Sequence, residues 1–264
     1  MSIQDSADAT YMDRLSRLVH SKGQLESHGY TLAQLNAVQL DKKRRCANCS
    51  LGSTGLVAED TSRGRHLVSS AIATSLDGHN DAREVVVIDC EMAADAELIK
   101  LSLVDYLTGE ILINQLVWPD VKVTNWNAPH SGVTGKEMYK ARKEKTCIFG
   151  RKKAREEIWK FVGPKTIIVG HATNNDLSAL RWIHPRVIDT QIVESNAVDE
   201  PNGISLKILV LEHLGKTIQP RGKGHDCLED AMATRDLLHC QVLRASKPQK
   251  AWVPVIQPEE LLGR

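Results

Sequence analysis

The stretch Val85-Val-Val-Ile-Asp-Cys-Glu-Met92 opens on four β-branched residues and closes on two acids and a methionine. A short continuous apolar run of this kind predicts a strand buried on both faces. Successive strand residues point to opposite faces, so Asp89 and Glu91 share one face while Cys90 takes the other. Burying unpaired charge is unfavourable, so the two carboxylates either meet water at the end of the sheet or hold a cation. A hard divalent ion is the natural guest for such a pair. An isolated D-x-E, a common tripeptide, fits a solvated strand end better than a metal site, and the residues further along the chain decide between the two.

Downstream, Leu98 to Tyr106 and Ile111 to Trp118 alternate apolar and polar residues, with Leu107-Thr-Gly-Glu110 as a hairpin turn between them. Three strands in succession predict a sheet that is antiparallel on one side. Thr166-Ile-Ile-Val169 reads as another buried strand, followed by Gly170-His171 and then Asn174-Asn-Asp176. Asn174 or Asn175 suits a helix N-cap, which puts Asp176 in a first helical turn just past a core strand. Arg186 to Asp189 predicts one more strand, and Ser205 to Leu214 an amphipathic helix stopped by Gly215.

The last cluster is Gly222-Lys-Gly-His225-Asp226-Cys-Leu-Glu229-Asp230. Asp226 and Glu229 have the spacing of a capping box, which leaves His225 outside the helix and Asp230 in its first turn. Inside one continuous helix, residues five apart would splay by roughly 140°. A loop histidine ahead of the cap can instead fold back over Asp230. The helix runs to about Arg244.

A chain of 264 residues with a formal net charge of +1 has no global field that selects nucleic acid, so any basic partner surface is local. The densest such stretch, Lys140 to Arg155, has eight Lys or Arg against Glu144 and reads as a phosphate-tracking or a solubilising helix face. Residues 1–82 form an N-terminal extension and linker with two short helices between residues 11 and 40, residues 83–246 the main domain, and 247–264 a tail. Lys42-Lys-Arg-Arg45 reads as a solvated charge run, a nuclear import signal or a nucleic-acid contact. Cys46-x-x-Cys49 is half of a zinc site or a surface turn. Six cysteines without regular spacing, no basic and apolar leader and no long apolar run point to an intracellular chain without a membrane partner, with a slight lean to the nucleus.

Asp89 and Glu91 on a strand, Asp176 and Asp230 on helix first turns and His225 on a loop suit two Mg²⁺ or Mn²⁺ ions about 4 Å apart, the arrangement that clamps a phosphodiester during in-line displacement. A histidine that is neutral near pH 7 can take the proton of the attacking water.

In their order, Asp89-x-Glu91, Gly170-His171 followed by Asp176, and His225 followed five residues on by Asp230 resemble the three motifs of the DEDDh 3′-to-5′ exonucleases. Ile88-Asp-Cys-Glu-Met92, Ser131-Gly-Val-Thr134, Ile188-Asp-Thr190, Ser205-Leu-Lys207 and Leu228-Glu-Asp-Ala231 are similar to the RNA exonuclease branch. The resemblance implies an α/β fold, an RNase H-like mixed sheet flanked by helices. It also implies Asp89, Glu91, Asp176 and Asp230 as metal ligands, His225 as general base, and Met92, Ala93, Thr134 and His171 against the substrate, with Met92 and Ala93 at its 3′-terminal nucleotide. The expected activity is 3′-to-5′ hydrolysis of single-stranded RNA to nucleoside 5′-monophosphates. The alternatives are the same chemistry on DNA ends, or a non-catalytic RNA-binding or ribosome-assembly scaffold. Trp126-Asn-Ala-Pro-His130 lacks the arginine that relatives often carry before Ser-Gly-Val-Thr, and Asn175 stands where they often have histidine. Sugar discrimination, which rests on contacts to the 2′-hydroxyl, is therefore open.

Overall fold

The computed structural model describes residue 3 and residues 7–32, 68–69, 82–198, 203–220 and 222–244. The Lys42 to Arg45 run, the Cys46/Cys49 pair and the tail from residue 247 lie outside the described residues.

The chain opens with helices α1 (Ala9–Arg17) and α2 (Lys22–Ser27), each started by a side-chain cap, Asp8 for the first and a Ser21/Gln24 capping box for the second. β1 (Val68–Ser69) follows, then β2 (Val85–Met92), β3 (Leu98–Asp105) and β4 (Ile111–Trp118). Next come α3 (Ala128–Ser131), α4 (Gly135–Glu144), β5 (Ile148–Phe149) and α5 (Gly150–Ile158). The second half adds β6 (Ile167–Gly170), α6 (Asn174–Ala179), β7 (Trp182–Ile183), β8 (Val187–Asp189), α7 (Thr190–Val198), α8 (Leu206–Leu214) and α9 (Cys227–Arg244).

Six strands form one mixed sheet in the order β5-β4-β3-β2-β6-β8, and β1 pairs in parallel with β7 beside it. β2 is antiparallel to β3, which is antiparallel to β4, while β6 and β8 run parallel to β2. The VVVI run is central because both of its faces are covered. On one face Val85 and Val87 pack with Val104, Tyr106 and Val169 under Ala231, Leu238 and Val242 of α9 and Tyr11 and Leu15 of α1. On the other, Val86, Ile88 and Cys90 pack with Leu101, Leu103 and Ile168 under Ile158 of α5, Leu177 of α6, Leu25 of α2 and Tyr30. Burying a side chain of this size contributes roughly 1.5–3 kcal/mol.

The two expected N-terminal helices are present, and they bracket the sheet, one on each face. Between them the His20 amide donates to the carbonyl of Val187 on edge strand β8 (3.0 Å), so the extension is bonded to the edge it passes.

Lys140 to Arg155 is not one helical face. Lys145 takes a left-handed conformation that ends α4, β5 then pairs with β4, and α5 begins afresh. Arg151 and Arg155 are buried; Arg151 pairs with Glu97 and Asp120, and Arg155 donates to the Leu180 carbonyl.

Candidate active site

Three elements and one loop converge on the carboxylate end of β2. Asp89 and Glu91 project from β2 on the face that α9 covers, as the alternation requires, and Cys90 lies in the opposite core. Asp176 arrives from the first turn of α6, and its Oδ1 accepts the Cys90 amide at 2.9 Å, which ties α6 to β2. Asp230 sits in the first turn of α9 and is buried. Among the described residues, Glu91, His225 and Asp230 each offer a ligand atom, and these atoms all lie within 4.8 Å of one another.

His225 folds back as its loop position allows, with Nδ1 3.5 Å from Asp230 Oδ2. The loop is held by a second one. The His225 amide donates to the His130 carbonyl (2.6 Å), and a Cβ on Gly132 would run into the His225 carbonyl while one on Gly224 would run into the Gly132 backbone. Only glycines permit so close a crossing of two chains. Asp226 caps α9 through the Leu228 amide (2.9 Å), but Glu229 does not complete the box; it accepts the Gln219 amide at 3.1 Å.

The expected cap at Asn174 or Asn175 is displaced to Thr173, whose side chain makes no cap hydrogen bond. Its task is done from across the sheet. Buried Asp189, at the end of β8, accepts the amides of Ala172 (2.9 Å), Thr173 (3.1 Å) and Gln191 (2.9 Å), so a neighbouring strand fixes the turn that launches Asp176.

Of the other expected contacts, Met92 is half-buried at the strand end and Ala93 is buried with Ile99, Val133 and Met138. Thr134 caps α4 in a capping box with Glu137, which engages its hydroxyl. His171 Nδ1 lies 2.9 Å from Thr190 Oγ1. Two supporting groups escaped the sequence reading. Gln219 Nε2 donates to Asp230 Oδ2 at 2.8 Å, and the Cys227 thiol donates to the Asp89 carbonyl at 3.0 Å. Gln219 lies in an aperiodic loop that carries no motif, so only the C-terminal proximity of Asp230 could have pointed to it.

The acids burden one another. Burial, then the charge of Asp230, pushes Asp89 well above the usual carboxylate range. Burial, then Asp89 and Asp230, raises Glu91 to about 9. Asp176 rises through burial and Asp89 against the opposing Cys90 hydrogen bond, and Asp230 rises to about 6, chiefly through burial. His225 is lowered by burial and by His130 and Lys207, which favours its neutral form at pH 7. Asp230 Oδ1 is buried without a hydrogen-bond partner. An orphaned carboxylate oxygen among acids whose protonated forms burial favours fits a hard divalent cation, which Glu91 and Asp230 could hold; Asp89 and Asp176 are not part of the group that lies within 4.8 Å.

Known proteins are similar to this chain in sequence. No family model matches the chain. It is 29% identical over 218 residues to RNA exonuclease 1 of Saccharomyces cerevisiae, covering 80% of this chain and 37% of that protein. It is 34% identical over 165 residues to the apoptosis-enhancing nuclease of Rattus norvegicus, covering 58% of this chain and 47% of that one.

The chain is thus similar to exonucleases of the DEDD-type, RNase H-like family.

Its fold is similar to that of the Saccharomyces cerevisiae Pan2 pseudoubiquitin hydrolase-RNA exonuclease module in complex with AAGGA RNA, with a TM-score of 0.53 and 19% identity over 65% of this chain and 31% of that one. The chain spans less than half the length of either curated relative named above. Among the described residues, no helix is long and apolar enough to cross a membrane.

Proposed function

We propose that the chain is a metal-dependent 3′-to-5′ exoribonuclease that releases nucleoside 5′-monophosphates from single-stranded RNA. The observation that carries this reading is the convergence of Glu91, His225 and Asp230 within 4.8 Å beside Asp89 and Asp176, with one carboxylate oxygen of Asp230 orphaned. RNA as substrate draws on the relative named RNA exonuclease and on the neighbour bound to RNA. Two Mg²⁺ or Mn²⁺ ions, when bound, supply charge to activate the attacking water and to stabilise the leaving oxygen.

The protein's own residues do the rest. Asp89, Glu91, Asp176 and Asp230 set the donor positions on rigid elements, and Gln219 and the Cys90 amide hold two of those carboxylates in orientation. His225, neutral at pH 7 and on a loop pinned by His130, accepts the proton of the attacking water at a ring nitrogen. Met92 and Ala93, next in the chain after Glu91, border the terminal nucleotide. The free thiols of Cys90, Cys147, Cys227 and Cys240 accord with action inside the cell.

The test is degradation of matched, 5′-labelled single-stranded RNA and DNA with Mg²⁺ or Mn²⁺, beside EDTA and Asp89→Ala controls. A metal-dependent ladder on RNA is the expected result. Faster loss of DNA moves the assignment to DNA ends, and no ladder on either leaves the scaffold reading.

A further inference from the structure

On the surface beyond α4, three aromatic rings enclose a second site. Trp118 at the end of β4, Trp126 in the following loop and Tyr139 on α4 meet with centroids 5.5 to 6.3 Å apart. They line a cavity of about 320 Å³ together with Asp120, Lys122 and Arg142. Tyr139 is 57% exposed, so one face of its ring is open to a stacking partner.

The charges around the cavity select the occupant. Arg142 lies 4.1 Å above the Trp118 ring, which already fills that face with a cation and disfavours a second one. Asp120 is engaged by the Arg151 amide and side chain. Lys136, Lys140 and Lys143, spaced i, i+4 and i+7 on α4, flank Tyr139 and form no ion pair with any described residue. Stackable rings beside unpaired cations recognise single-stranded nucleic acid, bases on the rings and phosphates on the lysines.

The cavity is also linked along the chain to the candidate active site. The loop that crosses His225 at Gly132 runs directly into Thr134, the cap of α4, and Tyr139 follows five residues later, about 8 Å along the helix axis.

We propose that Trp118, Trp126, Tyr139 and Arg142, with Lys136, Lys140 and Lys143, form a subsite that stacks and holds the upstream nucleotides of a single-stranded RNA whose 3′ end lies among Asp89, Glu91, Asp176 and Asp230. The proposal rests on the exoribonuclease reading for the position of the 3′ end, and on its own geometry for binding.

The experiment uses the full chain. Dissociation constants for a dinucleotide and a dodecanucleotide RNA are measured by fluorescence anisotropy in EDTA, and turnover of both in Mg²⁺. Tyr139→Ala is expected to raise the dodecanucleotide-to-dinucleotide ratio of dissociation constants about tenfold, as loss of one base stack does, and Tyr139→Phe to restore it. Removing the three lysines together should flatten the dependence of log K on log salt by about 2, since each single-strand phosphate contact contributes roughly 0.7. A ratio and a salt slope that do not move in these variants overturn the subsite and leave the face to a protein partner. Length-dependent binding that Tyr139→Ala abolishes, in a wild-type chain that degrades neither RNA, supports the subsite while removing the nuclease reading.

Discussion

Tyr30 donates its hydroxyl proton to Asp189 Oδ2 across 2.6 Å in the interior of the protein. The contact joins a residue that follows α2 to the carboxylate that holds the Ala172 and Thr173 amides, one step from Asp176. Tyr30→Phe removes the donor and leaves part of a buried carboxylate unsatisfied. It should destabilise the protein by about 1–3 kcal/mol in urea unfolding and lower turnover by loosening α6. Unchanged unfolding and unchanged turnover would show that the extension does not support the site.

Removal of divalent metal should make stability fall as pH rises. Glu91 has a folded value of about 9 against an ordinary 4.5, so the folded state keeps a proton that the unfolded chain has lost. That contribution is complete below about 4.5 and disappears as pH climbs through about 9. In EDTA, Tm should therefore decline over this window, and Mg²⁺ should reverse the decline by taking the place of the proton. Glu91→Gln is expected to raise Tm in EDTA at the alkaline end and to weaken the response to Mg²⁺. An EDTA profile that is flat from mildly acidic to alkaline pH would contradict the electrostatic account of the cluster.

The opposite acid dependence comes from His184, which is fully buried against the Thr166 carbonyl at 2.7 Å. Burial lowers it from 6.5 to about 4. The folded state then refuses a proton that the unfolded chain accepts, so this contribution is present above about 6.5 and lost as pH falls towards 4, up to about 3 kcal/mol in all. His184→Gln should flatten the stability profile in that window, which chemical denaturation at several pH values would read directly.

Gln219→Leu deletes the donor to Asp230 while leaving all four acids in place. The expected outcome is a roughly 10- to 100-fold weaker Mg²⁺ affinity in turnover, with a loss of about 1–3 kcal/mol in metal-free unfolding because a buried carboxylate loses its donor. Equal Mg²⁺ titrations for variant and wild type would show that Gln219 is not needed to orient Asp230.

The strand positions of Asp89 and Glu91, the first-turn positions of Asp176 and Asp230 and the loop position of His225 were all legible, because each follows from a local period or cap. The central, two-sided burial of β2 was legible for the same reason. Long-range hydrogen bonds left no such trace. Asp189 caps the turn before α6 from another strand, which is why Asn174 and Asn175 were misread as caps. Arg151 and Arg155 look like surface charge in sequence, and only packing against Glu97 and the Leu180 carbonyl reveals them as interior groups. The helices of the extension show only a loosely helical apolar spacing, and nothing local says which surface it covers.

The passage of the chain from α1 to α2 has one more effect. β8 is the last strand of the sheet, and an open margin of backbone amides and carbonyls is a template for adding a foreign strand. The His20 amide occupies the Val187 carbonyl, and its side chain stays beside the Asp189 backbone, its Nε2 3.0 Å from the Asp189 amide. The segment around His20 thus occupies part of this margin, and a fragment trimmed to Arg83 is expected to keep the set of acids while exposing a rim at which strands of separate copies can pair.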